Sequence, residues 1–287
     1  MAVIHLEARN RGRRWAALVP FLQKAEFDAL LSSGNGFRLW EEESPEDAWR
    51  RAVAAGKTVP AYLQGAIASL PGGLDGAARE LQRREVFQRE YARKADVRLG
   101  LVPLASLISP QPVADVGYVA ELADRLGSDH DLERDFAFAF PKGTVPEPMV
   151  VGNTVIFNDQ TQNIVINPMP HWRRVGDEVE IVITGSARPN YMWVADLGGR
   201  LVLLNGVHKA LAAIAAGRSS LPAVIRNANA LPELGVQQPP TFLAHYGGPR
   251  PPLVADFFHP MAIALERRPT RTLTRLIVQV DQIPFPE

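Results

Sequence analysis

The pattern of apolar and polar residues is most informative between residues 193 and 226. Two short apolar runs, Trp193–Asp196 and Leu201–Leu204, flank a Gly-Gly pair. Glycine tolerates the positive φ angles that tight hairpin turns require. The pattern therefore predicts a β-hairpin over this stretch.

From Val207 the apolar positions recur at helical rather than strand spacing. They are Val207, Ala210, Leu211, Ile214 and Ala215. Asn205 is a suitable N-cap for this helix, and Gly217 is placed to end it at C′. The next apolar run begins after Pro222, where a strand tolerates proline. A strand-helix-strand unit this short is typical of a right-handed parallel crossover.

The first 96 residues are predicted to be mostly helical after a short β start. Ser44 followed by Pro45 is a typical helix start, because serine caps the free N–H groups and proline suits the first helical position. The strands predicted here are Ala2–Leu6 and Trp15–Val19, and the helices are Ser44–Ala55, Thr58–Leu70 and Asp75–Lys94.

The centre and the end of the chain carry strand patterns instead. We predict an inserted β extension at about residues 146–185, with strands at Met149–Phe157, Asn163–Ile166 and Val179–Thr184. Residues 227–287 form a proline-rich tail. Its last segment, Leu273–Ile283, alternates as an amphipathic strand that we expect to pack on the core.

Composition narrows the class of protein. Of the 287 residues 46% are hydrophobic and 22% are charged, which is ordinary for a globular protein. Lys+Arg and Asp+Glu number 31 each, so the net charge does not attract nucleic acid or membrane in particular. The chain has no cysteine, no apolar stretch of membrane-spanning length and no secretory signal pattern. These features predict a cytoplasmic protein without a membrane partner.

The strand-to-helix junction Asn205–Lys209 is the leading candidate site. The first turn of a helix leaves backbone N–H groups without intrahelical partners, and the helix dipole adds positive charge there. Gly206 would allow a ligand to approach the backbone, and His208 and Lys209 could add donors or charge. The alternative is that these residues simply cap the helix and form its solvated face.

Two segments around this junction resemble the ParB/sulfiredoxin-like superfamily. Residues 201–212, LVLLNGVHKALA, are followed by Ala216-Gly217 and the LPAV run at 221–224, similar to that family's second motif. The segment LVPLASLISP at 101–110, followed by residues 117–127, is similar to its opening strand and helix. The resemblance covers residues 97–226 and implies an α/β (α+β) fold with a ParB/sulfiredoxin-like core.

The chain differs from the family at the positions that carry the family's catalytic residues. Sulfiredoxins carry a catalytic cysteine where this chain has Val207, so thiol-based reduction is excluded. The CTP-hydrolysing ParB proteins have an acidic residue and two arginines in the following positions. Lys209 carries a point charge and cannot make the bidentate contact of an arginine. These differences from the family favour ligand binding over hydrolysis.

The resemblance implies a phosphate-bearing ligand, either a nucleotide with Mg²⁺ or a nucleic acid such as DNA. Gly206 would give access, the N–H groups of Val207 and His208 would hold phosphate oxygens, and Lys209 would neutralise charge. His208 and Lys209 are the candidate catalytic residues, although no general base is evident. A ParB-like protein of this kind would belong with bacterial defence or plasmid functions. The alternative is a non-catalytic scaffold that keeps the fold, contacts a protein partner and has lost the ligand.

Other candidates are weaker. Trp172 beside Arg173 and Arg174 is the best place for a base to stack near phosphate-binding arginines. The histidines show no metal-binding spacing, so we predict no metal site. The aromatic loops His245–Pro249 and Phe257–Pro260 could line a pocket or a partner surface, or pack over the core.

Overall fold

The computed structural model divides the chain into two compact units. The first comprises Met1–Pro141 and Tyr191–Pro269, and the second comprises Lys142–Asn190 and Thr270–Glu287. The structure describes residues 13–32, 36–92, 96–142, 149–151, 154–157, 164–166, 171–182, 185–187, 190–234, 240–267 and 274–277.

Helices and both mixed and antiparallel sheets are present, which confirms the coarse α/β (α+β) class. The strands are β1 (Arg13–Leu18), β2 (Phe37–Leu39), β3 (Val97–Pro103), β4 (Val113–Asp115), β5 (Met149–Val151), β6 (Thr154–Phe157), β7 (Ile164–Ile166), β8 (His171–Val175), β9 (Glu178–Val182), β10 (Gly185–Ala187), β11 (Trp193–Leu197), β12 (Arg200–Asn205), β13 (Ser220–Asn227), β14 (Ala262–Arg267) and β15 (Thr274–Ile277). The α-helices are α1 (Lys24–Ser32), α2 (Pro45–Gly56), α3 (Asp75–Arg83), α4 (Glu85–Phe87), α5 (Val116–Leu126), α6 (Leu132–Ala139), α7 (Val207–Ala215) and α8 (Pro240–Ala244).

The central sheet of the first unit has the order β12-β11-β13-β3. The predicted hairpin is confirmed: β11 pairs antiparallel with β12, and the turn glycines Gly198 and Gly199 have φ angles of 60° and 87°. The prediction of a parallel crossover through α7 was wrong in its pairing, because β13 runs parallel to β11 and not to β12. The hairpin turns the chain back first, so β12 takes the sheet edge and α7 carries the chain to the far side of β11.

A second sheet in the same unit has the order β2-β14-β1-β4, and we call it the N-terminal sheet. Strand β1 pairs with β14 over Arg13–Leu18 and with β4 over Trp15–Ala17. Residues early and late in the sequence therefore build one sheet. The predicted boundary at residue 96 does not coincide with a boundary between the compact units.

The two faces of β1 pack into different apolar clusters. Ala16 and Leu18 join the large core of the first unit, whereas Ala17 and Val19 join a smaller cluster with Phe27 and α2. This follows from the alternation of side chains along a strand. The central part of β1 is therefore packed against apolar side chains on both faces.

Of the three predicted N-terminal helices, the first is confirmed, the second is wrong, and the third is helical over most of its length but broken at Arg84. Helix α2 begins as expected, and Ser44 accepts the N–H of Asp47 at its start. The segment predicted as a helix at Thr58–Leu70 is extended, and Ala68 exchanges both backbone hydrogen bonds with Leu101 of β3. A Cβ on Gly65 would lie 2.3 Å from Pro103, so glycine permits this close approach.

The helix predicted at Asp75–Lys94 breaks at Arg84, which has extended backbone angles. Its guanidinium donates to the Phe140 carbonyl at 3.1 Å. The chain then forms α4 and a π-helical turn at Gln88–Ala92. The break therefore lies at a residue that makes a tertiary contact, and residues 93–95 lie outside the described residues.

The second unit is rich in strands, and the predicted β extension at about 146–185 falls within it. Its sheets are β15-β6-β5, β10-β7 and the hairpin β8-β9. Strand β15 pairs with β6 and therefore belongs to this unit, whereas we predicted that it would pack on the core. The predicted strand Ala2–Leu6 lies outside the described residues.

Candidate ligand site at the start of helix α7

The turn between β12 and α7 is built around Gly206. This residue is the N-cap of α7 with φ 98° and ψ 25°, a left-handed conformation that favours glycine. A Cβ here would also lie 2.6 Å from Sδ of Met192. The prediction that Asn205 caps the helix was wrong, because Asn205 is the exposed last residue of β12 and no side chain caps α7.

The other end of α7 follows the prediction. Gly217 has φ 82°, its N–H donates to the Ile214 carbonyl at 3.0 Å, and the N–H of Arg218 donates to the Ala213 carbonyl at 2.8 Å. This pair of hydrogen bonds is a Schellman motif, which provides donors for carbonyl groups that would otherwise be unpaired at the helix end. The length of α7 is thus set by a glycine at each end.

The first turn of α7 presents backbone donors. Val207 is the first helical residue and its side chain is buried. Within the described residues, no hydrogen bond joins the N–H of Val207 or of His208 to a protein acceptor. These are the two N–H groups that were predicted to hold phosphate oxygens.

The imidazole of His208 is turned toward helix α5. Its Nε2 accepts the backbone N–H of Asp115 at 3.1 Å, and its ring meets the Tyr118 ring edge-on at 5.5 Å. Burial, and next the charge of Arg13, lower the pKa of His208 to about 4. At neutral pH the ring is therefore uncharged, with its proton on Nδ1 because Nε2 is an acceptor.

Lys209 is buried, with 8% of its surface exposed. Its Nζ donates to the Ala139 carbonyl at the end of α6, 3.3 Å away, and lies 6.0 Å from the centre of the Phe138 ring. Burial lowers the pKa of Lys209 to about 7. The structure thus keeps Asn205, Gly206 and Val207 together in the turn, while the side chains of His208 and Lys209 contact backbone groups of α5 and α6.

A cluster at the start of α5, which the sequence analysis did not identify, adjoins His208. Asp115 is the N-cap of α5 and accepts the N–H of Tyr118 at 2.9 Å, while Arg13 lies 3.0 Å from its other oxygen. Burial raises the pKa of Asp115, and the hydrogen bond from Tyr118 and the charge of Arg13 oppose that rise. The starts of α5 and α7 therefore meet through the His208 side chain. An aspartate directly before the helical apolar pattern of 116–126 was the available signal.

The second predicted site falls in the second unit. Arg173 and Arg174 are exposed on β8; Arg173 pairs with Glu180 at 2.5 Å, and Arg174 donates to the Gly176 carbonyl at 3.2 Å. The side chain of Trp172 lies outside the described residues. Whether a base stacks on it therefore stays a prediction.

Two searches of the described residues were negative. No group of three or more His, Asp or Glu side chains there could hold a metal ion. No helix among them combines the length and the apolar character needed to cross a membrane.

Comparisons with known proteins add no relative. No protein-family model matches the chain, and neither the curated proteins nor the solved structures contain a match.

Proposed function

We propose that the first unit is a binding module of the ParB/sulfiredoxin-like type, which holds a phosphate-bearing ligand at the turn Asn205–Val207. The observation that carries the proposal is the pair of N–H groups on Val207 and His208, which no described residue accepts. They stand at the positive end of the α7 dipole. Gly206 is itself buried against Met192, so the exposed residue of the turn beside these donors is Asn205.

In this proposal His208 and Lys209 are positioning residues. The Nε2 of His208 accepts a backbone N–H, and burial keeps its ring neutral, so it holds the start of α7 against α5. Lys209 ties α7 to the end of α6 through the Ala139 carbonyl. The ligand is then bound by backbone donors, a mode that needs no charged side chain.

Titration calorimetry with CTP, ATP, their Mg²⁺ complexes and a short DNA duplex tests the proposal. Asn205→Glu adds a negative charge beside the α7 start, and Asn205→Gln is its neutral control. We expect the Glu variant to bind the ligand roughly tenfold more weakly and the Gln variant to bind like the unchanged protein. Heat from none of these ligands, or equal binding by both variants, contradicts the proposal.

A second candidate function is a non-catalytic interaction protein that keeps the fold without the ligand. The observation that favours it is the engagement of His208 and Lys209 with backbone groups, which takes their polar atoms away from an incoming phosphate. It predicts that neither nucleotides nor DNA raise the thermal unfolding midpoint. A rise that Asn205→Glu abolishes would support ligand binding instead.

A further inference from the structure

A cleft of about 210 Å³ opens on the N-terminal sheet, and its lining includes none of the residues Asn205–Lys209. The register places Ala16 of β1 opposite Ala264 of β14, and these small side chains leave a depression in the sheet. The one-turn helix Val254–Phe258 and the following loop form a wall, to which Phe258 and Pro260 contribute. The aromatic loop at Phe257–Pro260, which the sequence left open as a pocket wall or a core cover, does both, because Phe257 is also buried in the core.

Arg14 lies on the same face of β1 as Ala16 and lines this cleft. Its guanidinium stacks over the Trp40 ring at 5.2 Å. Among the described residues, no carboxylate forms an ion pair with it, although Glu266 is its register partner on β14. A guanidinium that is fixed on an aromatic ring and has no acidic partner is prepared to bind an anion.

Three other charged or titratable residues line the cleft: Glu41, Arg51 and His259. Arg51 pairs with Glu43 at 2.5 Å and lies 3.9 Å from Glu41, so its charge is already compensated. Glu41 lines the cleft with a largely exposed carboxylate, which opposes an anion. His259 accepts the N–H of Met261 on Nδ1 at 3.3 Å, which leaves Nε2 as its donor.

We propose that this cleft, here called the Arg14 cleft, binds a small ligand with one flat apolar ring and one terminal carboxylate or phosphate. Arg14 holds the anionic group, and the ring lies on Ala16 and Ala264 against Phe258. The volume sets the size, because pockets for drug-sized ligands measure roughly 300–1,000 Å³. None of its lining residues belongs to the turn Asn205–Val207, so this site is separate from the one proposed at α7.

Calorimetry with phenyl phosphate, benzoate and the neutral benzyl alcohol tests the ligand class. We expect saturable binding of an anionic probe and none of benzyl alcohol. The stronger of the two anions identifies the head group as phosphate or carboxylate. If neither anion binds at millimolar concentration, the proposal is overturned.

Four variants locate the binding. Arg14→Gln should weaken binding of the anionic probe roughly tenfold or more, since it removes the charge-assisted contact. Glu41→Gln should tighten it, because it removes the opposing carboxylate. Arg50→Gln, on the same helix as Arg51 but outside the cleft lining, should leave it unchanged.

Ala264→Leu keeps all charges and fills the floor of the cleft, so it should weaken binding of the ring-bearing probes. This variant and Glu41→Gln keep the test decisive if Arg14→Gln fails to fold, which its thermal unfolding would reveal. Equal binding by the unchanged protein and Ala264→Leu overturns the assignment to this cleft. Asn205→Glu should not affect these probes, so failure here and failure at α7 are distinguishable.

Discussion

His208 illustrates how a single residue changes its meaning when the fold is known. In the sequence it stands in a helix start, where a histidine suits anion binding. In the structure its Nε2 completes the hydrogen bonding at the start of α5 by accepting the N–H of Asp115. The burial that makes this contact possible also lowers its pKa to about 4, which removes the charge that a phosphate would meet.

This pKa predicts a pH dependence of stability. The pKa falls from its ordinary 6.5 to about 4 on folding, so the unfolded chain binds the proton more readily than the folded one. The contribution of neutral His208 is fully present above pH 6.5 and is lost as the pH falls toward 4. The shift corresponds to at most about 3 kcal/mol in the free energy of unfolding.

Urea unfolding between pH 7 and pH 4 measures this dependence. His208→Gln, whose amide oxygen can accept the same N–H, should show a flatter loss of stability than the unchanged protein. His130→Gln replaces an exposed histidine and should keep the full dependence. An unaltered pH profile in His208→Gln would show that His208 does not titrate in this way.

At the scale of elements, helix ends hold the first unit together. Arg218, the last residue of the Schellman motif of α7, is buried and donates to the carbonyls of Gly127 at 2.7 Å, Ala216 at 2.9 Å and Asp129 at 2.5 Å. Its Nε lies 3.2 Å from Oδ1 of Asp135 on α6. One guanidinium therefore joins the ends of α5 and α7 to α6.

Removing this guanidinium should cost far more than removing a surface one. Arg218→Met leaves the Asp135 carboxylate buried without its partner, and we expect a loss of about 3–5 kcal/mol in the free energy of unfolding. Arg50→Met, which breaks the exposed pair with Glu46, should cost less than about 1 kcal/mol. Chemical denaturation compares the two variants.

The double variant Arg218→Met with Asp135→Leu separates charge from packing. It should be more stable than Arg218→Met alone, because no unpaired charge remains buried. If the double variant is as unstable as the single one, the carbonyl contacts of Arg218 carry most of the stabilisation.

At the scale of the whole molecule, the first unit depends on contacts between distant parts of the sequence. Strand β13 lies between β11 and β3, and its residues Leu221, Ala223, Val224 and Ile225 are fully buried. Strand β2 is one of the two edge strands of the N-terminal sheet. The two strands should therefore differ widely in local stability.

Hydrogen exchange measured by mass spectrometry tests this difference. Amides of β13, such as Val224, which donates to the Met192 carbonyl at 2.9 Å, should exchange at least roughly 100-fold more slowly than those of β2. Low concentrations of urea should narrow the gap, because they promote global opening. Equal exchange in β13 and β2 would contradict this order of stability.

Local patterns were enough to predict the hairpin β11-β12, the start of α2 at Ser44 and the end of α7 at Gly217. Each of these depends on neighbours within a few residues: a glycine pair with positive φ, a capping serine, a glycine at C′. They were insufficient for residues 58–70, where the chain is extended and Ala68 pairs with β3, and for Arg84, where the helix breaks at a residue that contacts Phe140. The candidate turn at Asn205–Lys209 was located from sequence, but its cap was assigned to the wrong residue.

The sequence alone is sufficient for features whose hydrogen bonds close within one turn, such as the end of α7. It also excludes thiol chemistry, because the chain has no cysteine. The environments of His208 and Lys209 and the cleft at Arg14 required the folded chain. They arise where strands and helices far apart in sequence meet, and there burial changes the pKa of a group and decides which charges keep a partner. Spacing along the chain carries no information about such meetings, because they depend on how β1, β14, α5 and α7 are arranged in space.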